Sequence, residues 1–598
     1  MNKYITLTLL LLVGLLANAQ NDKRLKGVEK EMNALLQTAK AAGFSVAVVH
    51  KDKVVYSAGF GYRDYEKKLP ADANTLYAIG SSTKAFTSAV LGLLRADGKL
   101  AFSDSPLKYV PELHFYNNDL NGNVNIEDLM SHRTGIPRHD YSWYLFPTHN
   151  RDSLIQRIKY QEPFTGLRQQ WHYNNFMFAV QGTIAEKITG KTWEDNIRER
   201  FLAPLGMDRT NVSIAEMKSA ANAAFGYSLK KDVITKTDYY DIAAMAPAGA
   251  INSSVNDISK WLIMWIGKGK FDGKEILPAD YVNEAMSAQA VIHGGLPSKQ
   301  FPNTFMASYG YGWMMSSYKG HYRVEHGGNI DGFSASVAFF PAEDVGIVVL
   351  ANQDGSSLPS LVRNTLADRM LGAKKTDWNK ELEKGMKEEK EAEEEAKKSM
   401  RKEEEAVSKL PSHPLDDYTG LFSNPGYGTF EIIKTGDSLF AEFRQTRFYL
   451  KHKHYDIFAP YEAKDGIDAS QDSDGLFFNF STNDGGDISG VKLKVEQSLD
   501  HPLEFKRSPK AVAVAGDILM EYAGNYEIAG MTVKVSVKEG KLYMFVPGQP
   551  EYELSPVSKT MYVITTLDGY KAEFVNENGK VKELVLHQPN GKFTAVKK

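Results

Sequence analysis

At 598 residues the chain is too long for one compact core, and its length predicts about three to four domains. Hydrophobic content of 42% and charged content of 24% are those of an ordinary soluble protein, and a formal net charge of -3 argues against nucleic acid as the partner. The absence of cysteine removes disulfides, thiolate metal sites and a cysteine nucleophile.

The chain opens like an export signal. Lys3 supplies a positive start, residues 5–16 an apolar core and Ala17-Asn18-Ala19 an A-x-A site. This predicts a signal peptide over 1–19, cleavage after Ala19 and a periplasmic or secreted bacterial protein. The apolar run is about a dozen residues, short of the ~20 that span a bilayer, so no stable membrane anchor is expected.

Residues 20–375 mix strand and helix. Residues 44–49 and 53–56 read as paired strands about His50-Lys51-Asp52, and 337–340 and 345–350 as a second hairpin about Pro341-Ala342-Glu343-Asp344. Helical patterns lie near 83–97, 176–189, 255–267 and 359–371. Strands at both ends with helices between them predict an α+β domain, an antiparallel sheet closed by both termini beside a helical lobe.

Composition changes abruptly over 376–412. The run 388–398 has many good helix formers and no apolar stripe, with Glu393/Lys397 and Glu394/Lys398 in the favourable i,i+4 order. A charged, solvated helical linker is expected, with a disordered one as the competing reading. Beyond it the pattern is strand again. Residues 429–433 turn through Gly436-Asp437 into 438–443, and 531–537 turn at Glu539-Gly540 into 542–546. Tyr418-Thr419-Gly420-Leu421-Phe422 and Tyr522-Ala523-Gly524-Asn525-Tyr526 open two similar halves, 413–512 and 513–598. Such a twofold β-meander suits two small antiparallel barrels or two halves of a larger one. The region is expected to fold apart from the preceding domain.

Six Ser-x-x-Lys tetrads occur, and Ser81-Ser82-Thr83-Lys84 alone follows an apolar-Gly lead and opens a buried helix. The start of a helix carries unpaired N–H groups and a positive dipole end, which favour negative charge. Lys84, three residues on, comes round to the face of Ser81. Further along, Tyr173-Asn174-Asn175 precedes the helical run at 176–189. His326-Gly327-Gly328 reads as the edge of a strand hairpin.

This order of motifs resembles the penicillin-recognising serine hydrolases, closest to the branch of class C β-lactamases, D-alanyl-D-alanine carboxypeptidases and D-aminopeptidases. Asp104-Ser105-Pro106, Leu129-Met130-Ser131-His132-Arg133-Thr134-Gly135, Pro204-Leu205-Gly206-Met207 and Pro247-Ala248-Gly249 extend the likeness, which covers about 28–372. The C-terminal halves resemble lipocalin-like modules appended to some peptidases of the family.

The resemblance implies a β-lactamase-like domain with its active site between sheet and helical lobe. Ser81 would be the nucleophile, with Lys84 and Tyr173 as proton-transfer partners whose order is open. Asn175 would bind the acyl-side amide, and the backbone N–H groups of Ser81 and Asn329 would hold the oxyanion. Gly327 and Gly328 would let a substrate strand approach. His326 stands where β-lactamases usually carry lysine, which favours a peptide, amide or ester over a β-lactam. Three functions follow: a D-amino-acid peptidase or esterase, a β-lactamase, or a non-turnover binder of cell-wall peptides. No cofactor is expected, and no metal spacing is present; His132, His139, His149 and His172 read as loop and surface residues. The β-modules could join copies of the chain into a homo-oligomer.

Overall fold

A computed structural model describes residues 22–598, apart from 239–240, 405–408, 464–465, 468–475, 509, 565, 568, 578 and 589; for 396–404 only the backbone is described. The signal segment expected over 1–19 lies outside the described residues.

Helix α1 (Val28–Thr38) leads into the hairpin β1 (Gly43–His50) and β2 (Lys53–Asp64). Three helices of the lobe follow at wide intervals, α2 (Lys84–Ala96), α3 (Phe176–Thr189) and α4 (Val255–Ile266). The chain then returns as β3 (Met314–Tyr318), β4 (His321–Ile330), β5 (Phe333–Phe340) and β6 (Val345–Ala351). β6 pairs antiparallel with β1, Val349 opposite Val46, so the two ends of the domain do close one sheet. The order is β3-β4-β5-β6-β1-β2, with short strands at both edges bringing the total to nine.

Both faces of this sheet are covered, and the side chains of β1 divide accordingly. Ala47 enters the core beneath α2, α3 and α4, while Phe44, Val46 and Val48 enter a second core with α1 and α5 (Leu358–Met370). That division is the period of two expected of a strand buried on both sides.

Helix α6 (Trp378–Glu404) realises the charged run as helix. Its first turns are not a solvated spacer, however. Leu382 is buried in the second core, Trp378 and Met386 pack against it, and the Trp378 indole donates to Asp368 Oδ2 at 3.0 Å. The side chains of Lys397 and Lys398, partners in the two expected ion pairs, lie outside the described residues. Among the described residues no helix is long and apolar enough to cross a membrane.

The repeat resolves into two closed eight-stranded antiparallel barrels, running from Gly420–Asn424 to Leu503–Ser508 and from Gly524–Ile528 to Gly591–Lys597. Closure pairs first and last strands, Leu421 with Ser508 and Tyr526 with Lys597, and leaves neither barrel a free edge. The second barrel has a core of its own residues. The first does not. Leu145 and Phe146, from the lobe, belong to its core, and the Phe146 ring lies 5.5 Å from that of Phe443 and 6.0 Å from that of Phe505. The first barrel is therefore joined to the preceding domain by shared apolar burial, where independent folding was expected.

Candidate active site

Ser81 stands in a 3-10 turn, Gly80–Thr83, that runs directly into α2. The two middle residues of the tetrad clamp this turn. Ser82 Oγ donates to the His326 carbonyl at 3.0 Å, and Thr83 Oγ1 accepts from the Ile251 N–H at 3.2 Å.

Two glycines let β4 lie against the turn. Gly80 has φ +50°, and a Cβ there would meet Asn329 N at 3.0 Å; a Cβ on Gly328 would fall 1.9 Å from the Ile79 carbonyl oxygen. Gly328 thus makes room for the turn that carries Ser81, where the sequence suggested room for a substrate strand. Pairing of β4 with β3 ends at Glu325, opposite Met314, whereas pairing with β5 continues to Ile330. Residues 326–330 consequently present a one-sided edge beside Ser81, in keeping with the hairpin-edge reading.

Lys84, the first residue of α2, is fully buried. Its Nζ lies 3.0 Å from Ser81 Oγ and donates to the Ala248 carbonyl at 2.8 Å. Burial, reinforced by the Arg138 charge, holds the Lys84 ammonium well below its ordinary pKa. Tyr173 comes from the loop before α3, and its hydroxyl donates to Ser81 Oγ at 2.7 Å. Burial pushes this phenol up, out of reach of ionisation near neutral pH. A buried amine with a depressed pKa and a buried phenol with a raised one therefore meet on one serine oxygen.

His326 is 2% exposed and lines the cavity beside Tyr173. Its Nδ1 lies 2.6 Å from the Gly327 carbonyl and its Nε2 3.0 Å from the Tyr309 hydroxyl, so Nδ1–H donates and Nε2 accepts. Burial, then the Lys84 charge, pushes its pKa down to about 4. Asn175 donates through Nδ2 to Asp140 Oδ1 at 2.8 Å. The side-chain oxygen of Asn329 accepts from Ser334 Oγ at 2.9 Å and from Gly355 N–H at 2.6 Å.

Ser81 opens onto two cavities. One, of about 360 Å³, is bordered by Arg138, Asp140, Trp143, Asn175 and Asn329. The other, of about 700 Å³, is bordered by Arg138, Trp171, Tyr173, His326, Gly328 and Asn329. Six of the seven expected residues thus line this space, and Lys84 lies buried against Ser81.

Residues not singled out from the sequence complete the site. Arg138 stacks 4.6 Å over the Tyr173 ring and borders both cavities, its Nε paired with Asp140 Oδ2 at 2.6 Å. Arg138 thus places a guanidinium beside Ser81. It follows the Leu129–Gly135 run by three residues, and a charged pair next to Pro137 was the available signal. His132 and His139 are fully buried, against the surface reading, whereas His149 is exposed and His172 half-buried. His132 accepts the Asn174 N–H at 3.1 Å, and its ring lies 4.4 Å from that of Tyr173.

A family model described as Beta-lactamase matches residues 28–369, more than half of the chain. The chain belongs to the β-lactamase family. This β-lactamase-family domain is followed by two matches to a domain of unknown function (DUF3471), at 404–507 and 508–597, which cover the two barrels. Unguisins hydrolase ungD' of Aspergillus campestris is 30% identical over 413 residues, 65% of this chain and 74% of that protein. Protein flp of Staphylococcus aureus is 28% identical over 336 residues, 55% of this chain and 63% of that protein. The octameric penicillin-binding protein homologue from Pyrococcus abyssi shares the fold, with a TM-score of 0.53 at 22% identity over 80% of this chain and 99% of that one.

Proposed function

We propose that this β-lactamase-family protein is a serine hydrolase that cleaves peptide, amide or ester bonds through an acyl-enzyme on Ser81, with D-amino-acid peptides or small esters as substrates. The observation that carries the reading is the convergence of Lys84 Nζ and Tyr173 OH on Ser81 Oγ. Their opposed pKa directions support a different role for each. In this reading Lys84 acts as a neutral amine and takes the Ser81 proton as Oγ bonds to the carbonyl carbon. The oxyanion forms toward the N–H groups of Ser81 and Asn329. On collapse the carbonyl re-forms and the bond to the leaving group breaks. Tyr173 gives its proton to the departing nitrogen or oxygen and is reprotonated from Lys84. Water, deprotonated by Lys84, then adds to the acyl carbon, the bond from that carbon to Ser81 Oγ breaks, and Oγ takes the proton back from Lys84 as the acid leaves. The relative named as a hydrolase, from Aspergillus campestris, supports turnover over mere binding.

A fluorophosphonate probe with peptide mapping tests the nucleophile: Ser81 is expected to carry the label, and Ser81→Ala to lose turnover. A label on another serine, or undiminished turnover in Ser81→Ala, overturns the reading. A panel of D- and L-aminoacyl amides, short esters and a chromogenic cephalosporin assigns the substrate class. The cephalosporin decides on β-lactamase activity.

Export and assembly belong to the same proposal. The 1–19 segment supports a periplasmic or secreted protein, which mass spectrometry of the protein from its native host should find starting at Gln20. A mature chain retaining 1–19 would refute export by this signal. The octameric state of the Pyrococcus abyssi homologue supports association of copies through the barrels, and a monomeric mass in light scattering would refute it.

A further inference from the structure

The segment from Pro137 to Pro147 joins the active site to the first barrel, and its side chains alternate between the two. Arg138, Asp140, Tyr141, Trp143 and Tyr144 border the smaller cavity beside Ser81. Asp140 is the hub on that side. Its Oδ2 takes the Arg138 guanidinium, and its Oδ1 accepts from Asn175 Nδ2 and from the Trp143 indole, each at 2.8 Å.

The intervening residues turn the other way. The His139 backbone N–H donates to Glu496 Oε2 at 2.7 Å, and its Nδ1 accepts from the Tyr427 hydroxyl at 2.9 Å. Ser142 Oγ donates to the Gly426 carbonyl at 2.6 Å, and Phe146 fills the core of the barrel. Tyr427 lies between the first two barrel strands, and Glu496 between the last two, so two loops at one mouth of the barrel grip the segment.

Glu496 is the informative residue. It is a carboxylate only 6% exposed, and its described hydrogen bonds come from backbone N–H groups: His139 on one oxygen, Ser498 on the other at 3.0 Å. Ser498 in turn borders the larger cavity. A buried carboxylate is costly unless its oxygens are satisfied, and one held by backbone N–H groups from both sides fixes where those backbones run. His139 adopts the left-handed region, φ 47°, which a non-glycine residue holds only when its surroundings impose it.

We propose that Glu496 and Tyr427 of the first barrel are positioning residues of the hydrolase, setting Arg138 and Asp140 beside Ser81 by holding His139 between them. The barrel is then a structural part of the active-site wall. This rests on the Ser81 reading, because the wall matters only if chemistry occurs at that serine.

The test uses the full-length protein and the rate at which a fluorophosphonate labels Ser81. Glu496→Ala should slow labelling by about tenfold to a hundredfold, since misplacement by about 1 Å costs up to ~10² in rate. Tyr427→Phe, which removes one hydroxyl, should slow it by about twofold to tenfold. The discriminating measurement is the double-mutant cycle with Arg138→Met. If the barrel acts through Arg138, Glu496→Ala/Arg138→Met should label no more slowly than Arg138→Met alone, because groups acting as one unit are not additive. A general weakening of the fold would instead multiply the two effects, and that result overturns the proposal. Unchanged labelling in both barrel variants also overturns it. Should Glu496→Ala fail to fold, the cycle of Tyr427→Phe with Arg138→Met gives the same decision. Absence of any Ser81 label in the wild-type protein would instead defeat the reading of the site itself.

Discussion

Lys84→Met is expected to lower kcat by about 10²–10⁴ and to remove a pH dependence of stability along with the activity. The rate effect follows from losing the group that accepts the Ser81 proton, a role worth about 10²–10⁴. Tyr173→Phe, which removes the hydroxyl on the same oxygen, should cost at least about 10². The stability effect follows from linkage. Folded Lys84 has a pKa well below its ordinary value, so between the two pKa values the unfolded chain binds a proton that the folded chain does not. The wild-type protein should gain stability relative to Lys84→Met as pH rises toward the ordinary lysine value. Thermal unfolding of both proteins across that range measures the difference, and parallel Tm profiles would show that Lys84 is not held neutral. The same argument sets the acid limb of kcat/KM, which should rise as Lys84 loses its proton. Arg138 depresses that pKa, so Arg138→Met should move the limb to higher pH, and an unmoved limb would exclude the electrostatic coupling.

Gly328→Ala should be nearly as damaging, although it adds a single methyl group and removes no group that moves a proton. Its Cβ would sit 1.9 Å from the Ile79 carbonyl oxygen, and both partners are backbone. β4 is held to β5 on its far side through Ile330, so relief comes by opening the gap between β4 and the turn of Ser81. That gap separates the two N–H groups assigned to the oxyanion, and loss of one such donor costs about 10²–10³ in kcat. Overpacking of this kind also destabilises by about 1–3 kcal/mol. Gly327→Ala is the matched control. Its Cβ would meet Ala335 O at 3.5 Å, an ordinary contact, so its stability should stay within about 0.5 kcal/mol of the wild type. Comparable kcat in the two alanine variants would refute the account of the glycine pair.

Local pattern made much of the fold legible. The hairpin of β1 and β2 and that of β5 and β6 follow from apolar runs broken by turn residues, and α2, α3, α4 and α5 lie within two residues of their expected bounds. Ser81, Lys84, Tyr173 and His326 were legible because their chemistry is tied to local spacing and to one order along the chain. The structure brings all four together at one site.

What the sequence by itself determined is therefore the set of elements, the β-lactamase-like order of motifs and the twofold repeat of the C-terminal meander. Tertiary structure decided everything that depends on residues far apart in the chain. His132 and His139 look like loop histidines until α3 and the first barrel close over them. Arg138 comes to stack at the site only because Tyr173, from another loop, lies beneath it. The repeat is equally compatible with one large barrel or two small ones, and closure of Leu421 on Ser508 and Tyr526 on Lys597 makes it two. Phe146 carries no mark of belonging to a barrel some three hundred residues on, because burial is a property of the assembled surface and not of the local pattern.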